Sequence, residues 1–177
     1  MGIVKVTKSL RKLKKSIDLS KGLFLYGVEI NDRDKSALVI YPTNDLWLFD
    51  KQMRAVKAIS DNQRLNLIQL SDEAHLPDEI DDIYSFDYPD DFVEYNSLFL
   101  HSACILFPDD YSWFCLVDET FDAGVGLLIA KDDTLREFFK HYDNSTDLEN
   151  LRKELKRINP QKCNSLIEGL KQIITKW

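Results

Sequence analysis

The sequence predicts an α+β fold: a mainly antiparallel sheet with an N-terminal amphipathic helix, a middle helix and a C-terminal group of three helices. Three observations carry this reading. β-branched and aromatic runs cluster along the chain rather than alternating one by one with helices. Turn-forming stretches such as Pro42-Thr43-Asn44-Asp45 and Pro108-Asp109-Asp110 separate those runs, as hairpin connections do. From residue 132 onward, apolar residues recur at spacings of three and four, the period of helices. At 177 residues, with six Gly and five Pro, the chain reads as a single domain, residues 1–177, with little linker.

Residues 3–17 set Ile3, Val6, Leu10, Leu13 and Ile17 at helical spacings, with Lys5, Lys8, Arg11, Lys12, Lys14 and Lys15 between them. This predicts an amphipathic helix with a basic outer face, docked by its apolar stripe on the sheet. Runs at 23–30, 36–41 and 46–49 predict an antiparallel meander. Asp50 is placed to cap a helix with Met53, Val56 and Ile59 inward, and residues 65–70 read as a strand. Residues 71–95 lose clear periodicity and are dense in Asp and Pro, which predicts loops with short helical turns. Strand signals return at 97–107, 113–117 and 123–129.

Three helices then follow. Asp132 or Asp133 is placed to cap the first, with Leu135, Phe138, Phe139 and Tyr142 inward. Thr146 and Glu149 match a capping box for the second, whose stripe is Leu148, Leu151, Leu155 and Ile158. Asn159-Pro160 ends it and begins the third, with Asn as cap and Pro at the first helical position.

Composition excludes several classes. Lysines open the chain, but no apolar signal segment or transmembrane-length run follows, so a soluble cytoplasmic protein is expected. Cys104, Cys115 and Cys163 each sit in an apolar periodic segment and read as reduced core residues. His101 and Cys104 are three apart, a spacing that points them to opposite faces of a strand, and no second ligand pair exists, so no metal or other cofactor is expected. Gly124-Val125-Gly126 lacks the third glycine of a dinucleotide fingerprint and reads as a strand with a bulge or a close backbone approach.

Charge is the strongest functional signal. No lysine or arginine lies between Arg64 and Lys131, yet those 66 residues hold 15 of the 30 acids in a chain of net charge -7. Such a field attracts basic proteins and repels nucleic acid and anionic membrane. Within it, residues 83–95 interleave Tyr84, Phe86, Tyr88, Phe92 and Tyr95 with Asp87, Asp90, Asp91 and Glu94, just after Asp78, Glu79, Asp81 and Asp82. Rings supply contact area and carboxylates supply steering, although some of these rings must instead anchor the core. Asp118, Glu119 and Asp122, in the next hairpin, extend the acidic set. The acids repel one another, so reversing Asp78, Glu79, Asp81 and Asp82 to Lys is expected to leave the fold intact or more stable.

A small chain without catalytic motifs, carrying this acidic aromatic stretch, resembles the immunity proteins that bacteria make against their own toxic nucleases and other polymorphic or contact-dependent toxins. Size, the α+β build, the stretch from Asp78 to Glu94 and the hairpin at 112–130 carry the resemblance. It implies an acidic face that binds a basic toxin domain and blocks its active site, with no enzymatic activity of its own. Two other readings stay open. One is an enzyme with a carboxylate site at residues 118–122, with His101 near. The other is a DNA mimic, against which the basic N-terminal segment counts.

Overall fold

The computed structural model describes residues 2–19, 28–70, 76–88, 90–100, 102–118 and 124–174. Along the chain come β1 (Val4–Ser9), α1 (Arg11–Ser16), β2 (Ile17–Asp18), β3 (Glu29–Ile30), β4 (Lys35–Thr43), α2 (Asp50–Ala58), β5 (Leu65–Gln69) and β6 (Glu79–Phe86). There follow α3 (Phe92–Ser97), β7 (Cys104–Pro108), β8 (Phe114–Asp118), β9 (Gly124–Lys131), α4 (Asp132–His141), α5 (Asp147–Ile158) and α6 (Pro160–Ile173). Seven strands form one sheet in the order β1-β6-β5-β7-β8-β9-β4, every neighbouring pair antiparallel; β2 and β3 pair apart from it. The class is the expected α+β with an antiparallel sheet. Among the described residues, no helix is long and apolar enough to cross a membrane.

Helices cover both faces of the sheet. Ile105, Phe107, Phe114, Leu116, Leu127 and Ile129 point to the face that also buries Leu13 of α1, Leu151 and Leu155 of α5, and Leu166 and Leu170 of α6. Their alternates Cys104, Leu106, Cys115, Val117, Leu128 and Ala130 point to the face covered by Met53 and Val56 of α2, Tyr95 of α3, and Leu135 and Phe138 of α4. This double burial is why the central strands read as unbroken apolar runs. It also explains the three cysteines, all free and buried, with burial pushing the Cys104 thiol up to about 12.

Several expectations are corrected. The N-terminal helix is a strand followed by a short helix: helical spacing holds only over Leu10, Leu13 and Ile17, while β-branched Val4, Val6 and Thr7 form β1 against β6. Among the described residues the early meander does not form. Of residues 23–30 the described part is only Val28 to Ile30, β3 pairs with β2, and β4 crosses the molecule to pair with β9 at the sheet edge. Residues 46–49 are not a strand, because the Trp47 backbone bonds back to Asn44, its N–H to the Asn44 carbonyl at 2.9 Å and its carbonyl to the Asn44 N–H at 2.8 Å, and Leu48 N–H bonds the Tyr95 hydroxyl at 3.3 Å.

Residues 71–95 contain the strand β6 where loop was expected, while the short helix α3 agrees with the helical turns expected there. The alternation in β6 was hidden by a bulge: Val6 pairs with Ile83 and Lys8 with Ile80, so Asp81 and Asp82 both oppose Thr7, and Asp82 takes φ 66°.

Helix starts also differ in detail. Phe49, Lys131 and Thr146 occupy the cap positions of α2, α4 and α5, and the Thr146 side chain makes no capping bond. Asp50, Asp132 and Asp147 lie just inside, where their charge opposes the positive end of the helix dipole. Asn159 caps α6 as read, its Oδ1 accepting Lys162 N–H at 3.2 Å. Gly124 is the close approach expected of it: a Cβ there would lie 2.1 Å from the Asp45 carbonyl oxygen.

Candidate functional site

The acids of β6 and the bases of the N-terminal segment, far apart in sequence, are brought together. Lys14 Nζ lies 2.6 Å from Asp78 Oδ1 and Lys5 Nζ 3.4 Å from Asp82 Oδ1, while the Thr7 hydroxyl donates to Asp81 at 2.8 Å. Lys8 reaches Asp109 Oδ1 at 2.5 Å, the same oxygen that accepts Asn66 Nδ2 at 2.8 Å. Burial raises the Asp109 pKa, but the bonds from Lys8 and Asn66 outweigh it and hold the carboxyl below its usual value. At this edge the charge gap is therefore largely compensated, and Glu79 stands exposed beside the pairs.

In residues 83–95 most rings turn inward. Phe86 stacks on Tyr95 at 5.1 Å, Tyr95 on Phe92 at 6.0 Å, and Phe92 meets Tyr88 edge-on at 5.3 Å, a chain of rings running from core to surface. Tyr84 is half-buried with Lys5 Nζ 5.5 Å from its ring centre, and Tyr88 is half-buried with its hydroxyl donating to Asp50 Oδ1 at 2.8 Å. Asp87 is held by Arg64 at 2.6 Å, and buried Asp91 accepts Asp87 N–H at 2.9 Å, closing the turn into α3. These two acids build the fold.

The outward groups are Asp90, Glu94, Val93 and Phe99. Val93 is 83% and Phe99 84% exposed, by far the most exposed large apolar side chains described. Sequence reasoning missed both. The signal was there for Val93: with Phe92 and Tyr95 facing inward at a spacing of three, an apolar residue between them falls on the wrong side of the helix. Glu94 Oε2 accepts Ile3 N–H at 3.3 Å, fixing the N-terminal end of β1 beside α3.

Asp118 ends β8 and pairs with Val125. By register this is the sheet end that holds Gln69 and Cys104, to which the chain returns after Phe99. Glu119 and Asp122 lie outside the described residues, as do His75 and His101.

A second site lies at that same end. β4 carries a bulge there: Ile40 pairs with Gly126 and Thr43 with Gly124, so Tyr41 and Pro42 together oppose Val125. The Tyr41 N–H instead bonds Asp147 Oδ2 at 2.8 Å, and the Pro42 carbonyl accepts Gln52 Nε2 at 2.8 Å. Asp147 Oδ2 also accepts the Tyr142 hydroxyl at 3.0 Å, and that hydroxyl accepts from Gln52 at 3.2 Å. Above this network opens a cleft of about 700 Å³ lined by residues of α2, the α4–α5 connection and α5.

Burial raises the Asp147 pKa, against the bonds from Tyr41 and Tyr142 and the charge of Lys51, and burial likewise pushes Tyr142 up to about 12. Among the described residues, the lining offers no imidazole, thiol or serine hydroxyl to act as nucleophile or base. Among the described residues no group of three or more His, Cys, Asp or Glu is placed to hold a metal ion. No family model, curated protein or solved structure matches the chain.

Proposed function

We propose that the chain is a protein-binding module that acts as an immunity protein, blocking a basic, nuclease-type toxin domain with an acidic face. The observation that carries the reading is the exposure of Val93, set between Asp90 and Glu94 in the chain, and of Phe99 just beyond the end of α3. Scattered apolar residues are ordinary on a surface, but two so fully exposed on one short segment supply the apolar centre that an interface needs. The surrounding acids supply its rim, and they match the basic cleft by which a nuclease holds phosphate. Glu79, Asp81 and Asp82 extend the rim on β6, and Asp118 extends it at the end of β8; Glu119 and Asp122, expected in the same set, lie outside the described residues. Tyr84 and Tyr88 border the face as half-buried rings.

The test is binding to the toxin domain encoded by the adjacent reading frame, or to a panel of basic nucleases, over a range of salt. Val93→Ser with Phe99→Ser is expected to raise the dissociation rate about tenfold or more. Glu79→Lys with Asp90→Lys is expected to slow association, most at low salt. Unchanged kinetics in both pairs would remove the face from consideration.

A further inference from the structure

The two edges of the sheet are finished differently. Along β4 the residues facing away from β9 are taken one by one: Ala37 bridges to Ile174 at the end of α6, the Val39 carbonyl accepts Asn144 Nδ2 at 2.8 Å, and the Tyr41 N–H goes to Asp147 Oδ2. That edge is closed to another strand. β1, at the other edge, is stopped only at its ends. The Ile3 N–H goes to Glu94 rather than to β6, and the Ser9 carbonyl accepts the Tyr111 hydroxyl at 2.8 Å, while Leu10 turns its N–H back to the Asp78 carbonyl at 2.8 Å. Alternation along the strand therefore turns the odd residues of β1 outward. Between the two stops, the backbone groups of Lys5 and Thr7 face outward with no strand beside them among the described residues.

We infer that this stretch pairs with the same stretch of a second copy of the chain, antiparallel and centred on Val6. Lys5 of each copy then exchanges backbone hydrogen bonds with Thr7 of the other, so every open group is satisfied by one twofold axis. The side chains in that register decide for a second copy. Half-buried Val6 meets its own counterpart, and Val4, 44% exposed, falls opposite the aliphatic stem of Lys8. Lys5 falls beside Thr7 of the other copy, whose hydroxyl is tied to Asp81, so each ammonium gains a carboxylate across the axis.

Lysine on an edge strand ordinarily guards against such pairing. Here both lysines are turned back on their own chain, Lys5 to Asp82 at 3.4 Å and Lys8 to Asp109, so the edge presents little net charge to a copy of itself. The contact is short, which makes the dimer weak and dependent on concentration. It goes beyond the toxin-binding reading and does not rest on it, since that face is built on α3.

The experiment is sedimentation equilibrium of the full chain from about 10 µM to about 1 mM, where reversible dimers are expected. Thr7→Pro removes one outward N–H and crowds the open side, and should weaken dimerisation about tenfold or more. Val6→Cys reads the register. Residues opposed at a non-hydrogen-bonded antiparallel position lie close enough for a disulfide, so this variant should cross-link into dimers on mild oxidation. Val4→Cys, opposite Lys8 of the other copy, should not, and the three native cysteines are buried. A chain that stays monomeric throughout would overturn the inference and leave the edge to a strand of another protein. Equal cross-linking of the two Cys variants would overturn it too, as would dimers abolished by Val93→Ser with Phe99→Ser, which would place the contact on α3. Val6→Cys leaves the β1–β6 ladder in place, so the cross-link decides even where Thr7→Pro does not fold.

Discussion

Lys14 and Asp78 meet at 2.6 Å across 64 positions of sequence, joining α1 to the segment that enters β6. With Lys5 and Asp82 this turns an acidic run that should repel itself into one with partners. Reversal of Asp78, Glu79, Asp81 and Asp82 to Lys should therefore lower stability instead of sparing it, because Lys14 and Lys5 would then face like charges. The pairs are exposed, so the loss should be modest, on the order of 1–2 kcal/mol for the four together. Urea unfolding of the fourfold variant measures it, and a midpoint at or above that of the parent would show the pairs to be idle.

Asp109 is the acid whose removal should cost most. It accepts from Asn66, which has no exposure and whose Nδ2 has one other acceptor, the Phe107 carbonyl at 3.4 Å. Asp109→Ala leaves that amide poorly satisfied inside the sheet, for a loss of about 1–3 kcal/mol. Asp78→Ala, which breaks an exposed pair, should lose no more than about 1 kcal/mol. Denaturant midpoints of the two variants should fall in that order.

The ring series separates fold from face. Tyr95→Ala removes a side chain 1% exposed that holds the backbone at Leu48, and should cost about 3–5 kcal/mol. Val93→Ser and Phe99→Ser should each stay within about 0.5 kcal/mol of the parent. Thermal unfolding of all three decides; a large loss in either Ser variant would place that residue in the core.

Acidity should act in opposite senses on Asp147 and Asp109. The folded pKa of Asp147 is raised, so its contribution is fully present below about pH 4 and is lost as pH rises through the raised value. The stability of the parent relative to Asp147→Asn should therefore decline from about pH 4 toward neutrality. The Asp109 value is lowered, so its contribution is present above about pH 4 and is lost as the solution is acidified below that. Unfolding free energies of the parent and of each Asn variant, measured at several pH values, give both slopes.

Truncation before Pro160 removes Cys163, Leu166, Ile167 and Leu170, all at most 6% exposed. It should uncover one face of the sheet and yield insoluble protein. Soluble, cooperatively unfolding material would show α6 to be dispensable.

The fold was legible wherever one period ran unbroken. The strands from Cys104 to Lys131 and the helices after them follow directly from runs of apolar residues, since sheets covered on both faces and amphipathic helices each leave one simple pattern. What stayed hidden involved either a break in period or a partner far along the chain. The bulge at Asp81 and Asp82 put Ile80 and Ile83 three apart on one strand, and so disguised β6 as loop. The N-terminal lysines fitted a helix as well as a strand, and only β6 decides between them. Of the acidic set, Asp87 and Asp91 proved to be fold-builders because their partners Arg64 and the Asp87 backbone are fixed by the turn. The Asp147 network could not be read, since it arises where a second bulge turns the Tyr41 N–H out of its ladder.

The strand order has a consequence for synthesis. Both edges of the sheet are early segments that close against late ones: Val4 waits for Ser85, and Ala37 for Ile129. At ~5–20 residues per second, the ribosome holds the Leu38 to Ile40 run without its sheet neighbour for on the order of ten seconds. For that interval it is a hydrophobic strand with two open sides, so the nascent chain must depend on chaperones or on rapid shelter beneath α2 until β9 emerges.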